Sequence, residues 1–149
     1  MSKRPRKAML FVRILIGVLI LIGLLVAIAA IHQNQTKERI NNKYHTLQLP
    51  GHLILQSATW EAGNIDNSAA WTYKYAATGQ RSEIFSALEG DLKNSGYSID
   101  FANDQNKSYI TARNTNDKMY LFIYLLPNND VGPPQPLNSV SILAEELPK

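Results

Sequence analysis

Three histidines, His32, His45 and His52, are the chain's only imidazoles, and separations of thirteen and seven residues do not match the short spacings that present ligands to zinc. Cysteine is absent, so there is no thiolate ligand, thiol nucleophile or disulfide framework. Asp104 with Asn103 and Asn106, and Asp117 with Asn114 and Asn116, gather oxygen atoms as calcium loops do. Both lack the glycine and the bidentate glutamate that such loops place at fixed offsets, and both read as turns. Serine and threonine are abundant, yet no Gly-x-Ser-x-Gly, no Ser-x-x-Lys and no glycine-rich phosphate loop occurs, and no histidine beyond His52 is available as a base. These residue types predict a protein that is not an enzyme and holds no cofactor and no metal.

The aromatic side chains offer a different chemistry. Trp71, Tyr73 and Tyr75 alternate with Thr72 and Lys74, and Tyr97, Ile99 and Phe101 alternate with Ser98 and Asp100. The stretch 119–126 is apolar on both faces, with Met119, Leu121, Ile123 and Leu125 on one and Tyr120, Phe122, Tyr124 and Leu126 on the other. Contiguous exposed aromatics mark binding surfaces, so Tyr120, Phe122, Tyr124, Trp71, Tyr73 and Tyr75 are the candidate partner-binding residues, with an envelope protein or a glycan as the partner. The alternative is that a proline-rich loop, the segment after the apolar run or the curvature of the sheet covers these rings.

The elements that must carry them follow from periodicity. Strands are expected at 53–60 and 71–77, separated by a Gly-, Asn- and Asp-rich turn. A helix at 82–94 places Ile84, Phe85, Leu88 and Leu92 on one side, with Gly96 positioned as its left-handed cap. Strands at 97–102, 107–114, 119–126 and 139–145 follow, joined by Asn103-Asp104-Gln105-Asn106, by Asn114-Thr115-Asn116-Asp117 and by a stiff loop at 128–136 with three prolines. Short turns between successive strands imply antiparallel pairing. The expected class is α+β: one N-terminal transmembrane helix, then a small domain with an antiparallel sheet packed on a single helix, in the order β-β-α-β-β-β-β.

Residues 14–31 are an unbroken run of Leu, Ile, Val, Ala and Gly. At 1.5 Å per helical residue it extends roughly 27 Å, close to the hydrocarbon thickness of a bilayer, and such side chains add no polar cost in lipid. Lys3, Arg4, Arg6, Lys7 and Arg13 precede it with no acid among them, so the positive-inside rule sets the N-terminus in the cytoplasm and the C-terminal domain outside it. The expected organisation is a basic cytoplasmic tail at 1–13, a transmembrane helix at 14–31, a juxtamembrane spacer at 32–50 and an extracytoplasmic α+β domain at 51–149. In the spacer, Ile40, Tyr44 and Leu47 recur at helical intervals, which suits a continued helix; a flexible tether is the other reading. Ala27-Ile28-Ala29 fits the pattern a signal peptidase reads, but eighteen apolar residues exceed the usual signal length and favour a retained signal anchor. Gly23 and Ala27 form a small-x-x-x-small pair able to support a homodimer.

The chain carries fifteen Lys and Arg against twelve Asp and Glu. Five of the bases lie at or before Arg13 and every acid lies after it, which leaves 32–149 with a net charge of minus two. That domain lacks the basic footprint of a nucleic-acid binder, and the tail suits anionic lipid instead.

Ala8-Met9-Leu10-Phe11-Val12, the long apolar helix and the antiparallel sheet after it together resemble the layout of a type IV pilin. The resemblance implies cleavage after Ala8 and assembly into filaments; Arg13 stands where that family carries its assembly glutamate. The leading expectation is a single-pass membrane protein with a non-catalytic extracytoplasmic binding domain. A pilin-like filament subunit and a secreted binding domain released by signal peptidase are the alternatives.

Overall fold

A computed structural model describes residues 6–63, 68–102, 108–127 and 137–147. The expected strands and the second helix are present with boundaries shifted by no more than two residues, while the first helix extends well beyond the expected 14–31 at both ends: α1 (Arg6–Tyr44), β1 (Leu53–Glu61), β2 (Ala70–Thr78), α2 (Arg81–Asn94), β3 (Ser98–Ala102), β4 (Tyr109–Asn114), β5 (Met119–Pro127) and β6 (Leu137–Glu146). The order is the β-β-α-β-β-β-β read from periodicity, and the class is α+β. The loops expected at 103–106 and 128–136 lie outside the described residues.

The chain divides into two compact units, Met1–Gln35 and Thr36–Lys149. In the first, α1 is long and apolar enough to cross a membrane, and its side chains from Leu10 to Gln35 are exposed throughout. Helical geometry suits such a run because each backbone N–H and C=O finds its partner within the segment. The helix does not stop where the composition turns polar. It continues to Tyr44, so the last turns of α1 belong to the second unit.

That unit is built on one antiparallel sheet in the order β1-β2-β6-β5-β4-β3. Hairpins join β1 to β2, β3 to β4 and β4 to β5, while β6 inserts between β2 and β5. Register fixes two faces. On one, Leu121 sits opposite Ala144, Ile123 opposite Ile142 and Leu125 opposite Val140, all fully buried. Tyr73 and Tyr75 extend this face across β2, opposite Ile142 and Val140. Ile84, Phe85, Leu88 and Leu92 of α2 join the same core, each at most 1% exposed.

The single helix expected on this face has company, because Ile40, Tyr44 and Leu47 are buried in the same core. Tyr44 stacks flat on Tyr73 at a centroid distance of 3.6 Å, and its hydroxyl meets that of Tyr75 at 2.8 Å. Asn41 Oδ1 accepts from the Tyr73 hydroxyl at 2.9 Å, and the Lys37 carbonyl accepts from the Trp71 indole N–H at 2.9 Å. Arg39 holds Glu146 through two contacts of 2.5 Å, and the Lys43 ammonium donates to the Asp117 carbonyl. Residues 36–44 are thereby fastened to β2, to β6 and to the turn before β5.

Helix α2 ends as its sequence implies. Gly96 takes φ +81, Tyr97 N–H donates to the Leu92 carbonyl and Gly96 N–H to that of Lys93, the paired bonds of a left-handed C-terminal cap. The turn before β5 is held by Asn114, whose Oδ1 accepts from the Asp117 N–H and whose Nδ2 donates to the Asp117 carboxylate, both at 3.1 Å. Those bonds engage Asn114 Oδ1 and one carboxylate oxygen of Asp117 within the turn; the similar group around Asp104 lies outside the described residues.

Candidate functional site: the open face of the sheet

The second face of the sheet divides into two halves of different chemistry. Over β1 and β2 it presents Ser57, Thr59, Thr72 and Lys74 with Ala76 and Ile54, a largely polar surface. Over β5, β4 and β3 it is aromatic. Tyr124 pairs with Tyr109 across the β4–β5 ladder, their rings 4.8 Å apart, and Phe101 of β3 reaches Tyr109 at 5.9 Å. One row of three rings therefore crosses three strands. Tyr120 and Phe122 form an edge-on pair at 4.7 Å alongside it, with Leu143 opposite Phe122 on β6. Phe101 is 54% exposed, Tyr124 41% and Leu126 53%. Thr111, beneath these rings, is 5% exposed, so the side chains pack on one another as well as facing outward.

Electrostatics at this face are weak and peripheral. The Asp100 carboxylate and the Arg113 guanidinium pair at 3.0 Å beside Phe101. Glu145, opposite Tyr120, has its carboxyl held above the usual range by burial. Burial, then the neighbouring Tyr124, pushes the Tyr109 phenol up to about 12. The Tyr109 hydroxyl is thus a neutral hydrogen-bonding group at physiological pH, and the rings around it offer flat apolar area: a surface for stacking and shape recognition.

Of the six candidates read from the sequence, Tyr120, Phe122 and Tyr124 lie together here. Trp71, Tyr73 and Tyr75 do not. They are on the opposite face, where Tyr73 is 1% and Tyr75 7% exposed beneath the last turns of α1, and Trp71 is half-buried against Trp60 and Lys37. Tyr73 and Tyr75 are core residues in this fold, because the helix continuing past the apolar run covers them, and Trp71 packs against the edge of that core. Burial raises the phenol pKa of both Tyr73 and Tyr75 above the ordinary value.

Phe101 and Tyr109 complete the face and were not among the candidates. Simple alternation sets Phe101 on the side of Ile99, but a bulge at Asp100 inserts one residue, so that Ile99 opposes Ala112 on the covered face and Phe101 opposes Thr111 on the open one. Tyr109 carries a weaker signal, the Tyr109–Tyr124 register, which emerges only when β4 and β5 are paired.

The histidines do not converge. His32 and His45 are exposed, His52 is half-buried with its Nε2 unpartnered, and among the described residues no cluster of three His, Cys, Asp or Glu could hold a metal. No family model, no curated protein and no solved structure matches the chain.

Proposed function

We propose that this chain is a single-pass membrane protein, anchored by the apolar part of α1 with its N-terminus in the cytoplasm. Its head, lying outside the cytoplasm, binds another component of the envelope, a protein or a glycan, without catalysis. The observation that carries the binding role is the aromatic half of the open face, where Phe101, Tyr109 and Tyr124 make a continuous row beside Tyr120 and Phe122. Large exposed apolar area is costly to keep in water, and aromatic rings supply much of the energy at recognition surfaces. The orientation rests on five bases and no acid ahead of the apolar run.

The test compares full-length protein with a Phe101→Ala/Tyr124→Ala variant, each solubilised from its native membranes and analysed for co-purifying protein and glycan. Both side chains are about half exposed, so the variant keeps its circular dichroism and its unfolding midpoint. One co-purifying component should disappear. An identical set captured by both proteins overturns the assignment of the face. Protease added to intact cells should digest the head; digestion only after lysis overturns the orientation.

A further inference from the structure

The chain has two tryptophans, Trp60 and Trp71, and the fold brings them together. They oppose one another on the β1–β2 ladder at one end of the covered face, with ring centroids 5.7 Å apart, and both are half-buried. That end is where the 36–44 segment begins. The Lys37 carbonyl accepts from the Trp71 indole N–H and the Lys37 ammonium lies 5.5 Å over its ring, whereas Asn41 meets Tyr73 and Tyr44 meets Tyr75, so the segment runs along β2 away from the tryptophans. Lys37 is the sixth residue after Ile31, where the apolar run ends. Six residues are about 9 Å of chain at the helical rise and no more than about 20 Å at full extension. The headgroup layer beyond the hydrocarbon is about 5–8 Å deep, so a connection this short keeps the tryptophan end of the head close to lipid.

We propose that Trp60, Trp71 and Lys37 rest in the headgroup layer of the membrane that holds the apolar run, and that the partner of this end of the head is lipid. An indole combines a large apolar body with a single N–H and settles at the boundary between hydrocarbon and water, and a lysine stem lies along apolar surface while its ammonium reaches phosphate. The Trp71 N–H already has its partner in the Lys37 carbonyl, so bringing that ring to the interface strips no donor of water. Acids and bases are intermixed at this end, Glu61, Glu145 and Glu146 alongside Lys37, Arg39 and Lys118, so the contact draws on the indoles and not on anionic lipid. A folded protein partner, about 30 Å across, does not fit between this end and the bilayer, because the connection holds the gap below that. The assignment of lipid rests on the anchored reading above; the gathering of both tryptophans beside Lys37 does not.

The apolar run holds no tryptophan, so the tryptophan emission of the full chain reports on this end alone. Purified full-length protein is reconstituted, at about one chain per vesicle, into phosphatidylcholine that carries a nitroxide on the headgroup, at the far end of the acyl chain, or not at all. With no other protein and no second copy present, the headgroup nitroxide should remove at least half of the emission and the acyl-end nitroxide less than half as much, and replacing part of the lipid by phosphatidylglycerol should leave both values unchanged. Equal emission with and without the headgroup nitroxide overturns the contact, as does equal quenching from the acyl end or quenching that needs phosphatidylglycerol. Inserting about ten Gly and Ser residues between His32 and Gln33 separates affinity from mere tethering, because it frees the head to move off without altering it. Quenching should then stay within a factor of two of the original, and its loss overturns the proposal. Flotation of the same vesicles tells the two readings apart: chain that does not float defeats the anchor, whereas floating chain with unquenched tryptophans defeats the contact alone.

Discussion

The head should not fold without the end of the long helix. Take one chain beginning at Thr36 and another beginning at Gly51, both lacking the apolar run. The shorter one loses the side chains of Ile40, Tyr44 and Leu47, at 0%, 3% and 9% exposure, and uncovers Tyr73 and Tyr75. Burying a large apolar side chain stabilises by about 1.5–3 kcal/mol, so the three together contribute about 5–9 kcal/mol. A domain of this size has a total stability of about 5–15 kcal/mol, so at the middle of both ranges the loss removes more than half of it. The hydrogen bonds made by Lys37, Asn41 and Tyr44 add little to this difference, since water can satisfy the Trp71 and Tyr73 donors once the helix is gone. Urea unfolding followed by tryptophan fluorescence suits the measurement because Trp71 lies against Lys37, its indole N–H bonded to that residue's carbonyl. The chain from Thr36 should unfold in one cooperative transition. The chain from Gly51 should show none, or a midpoint at half the denaturant concentration or below. Within the longer chain, Tyr44→Ala alone should cost about 3–5 kcal/mol, as removal of a buried aromatic ring does. Equal midpoints for the two chains would refute the claim that residues 36–50 are part of the head.

Three further outcomes follow from local geometry. Tyr97 is buried, and that burial, followed by the charge of Asp117, pushes its phenol up to about 12. The fold favours the neutral ring, so its contribution is complete below about pH 10 and falls as pH rises towards 12; alkaline unfolding should set in over this window, and Tyr97→Phe should flatten it. Gly96→Ala places a Cβ at φ +81, where Asn114 Nδ2 at 3.6 Å leaves room but the backbone does not favour it; denaturant titration should show a loss of about 1–2 kcal/mol with an unchanged slope. Arg39→Gln removes a largely exposed ion pair with Glu146, so thermal melting should register a loss of no more than ~1 kcal/mol, shrinking further in high salt.

Much of this architecture is written in local pattern. The two-sided strand around Leu121 and Phe122 announces a sheet with both an aliphatic and an aromatic face, and Ile84, Phe85, Leu88 and Leu92 announce the helix that helps cover the first. Gly96 marks where that helix ends. Long-range facts are less legible. The assignment of Tyr73 and Tyr75 to the covered face depends on β6 lying between β2 and β5, a pairing of residues some seventy positions apart in sequence that no periodicity records. The spacing of Ile40, Tyr44 and Leu47 is visible, but their target is not, since it is formed by strands that follow. Phe101 was hidden by a single inserted residue at Asp100, which reverses the facing of every side chain beyond it. The open face is therefore half legible: its members on β5 come from alternation, and its members on β3 and β4 from register.

The place of β6 also bears on how the molecule can be made. Among the described residues, the β1–β2 hairpin and the β3–β4–β5 meander share no ladder with each other and are joined within the sheet by β6, which follows them both in the chain. A polypeptide interrupted between Pro127 and Leu137 is left with two separate fragments of sheet and two raw inner borders. During synthesis, then, the head must wait until nearly all of it has emerged before it can close, and throughout that interval its greasiest surfaces are exposed to whatever else is nearby.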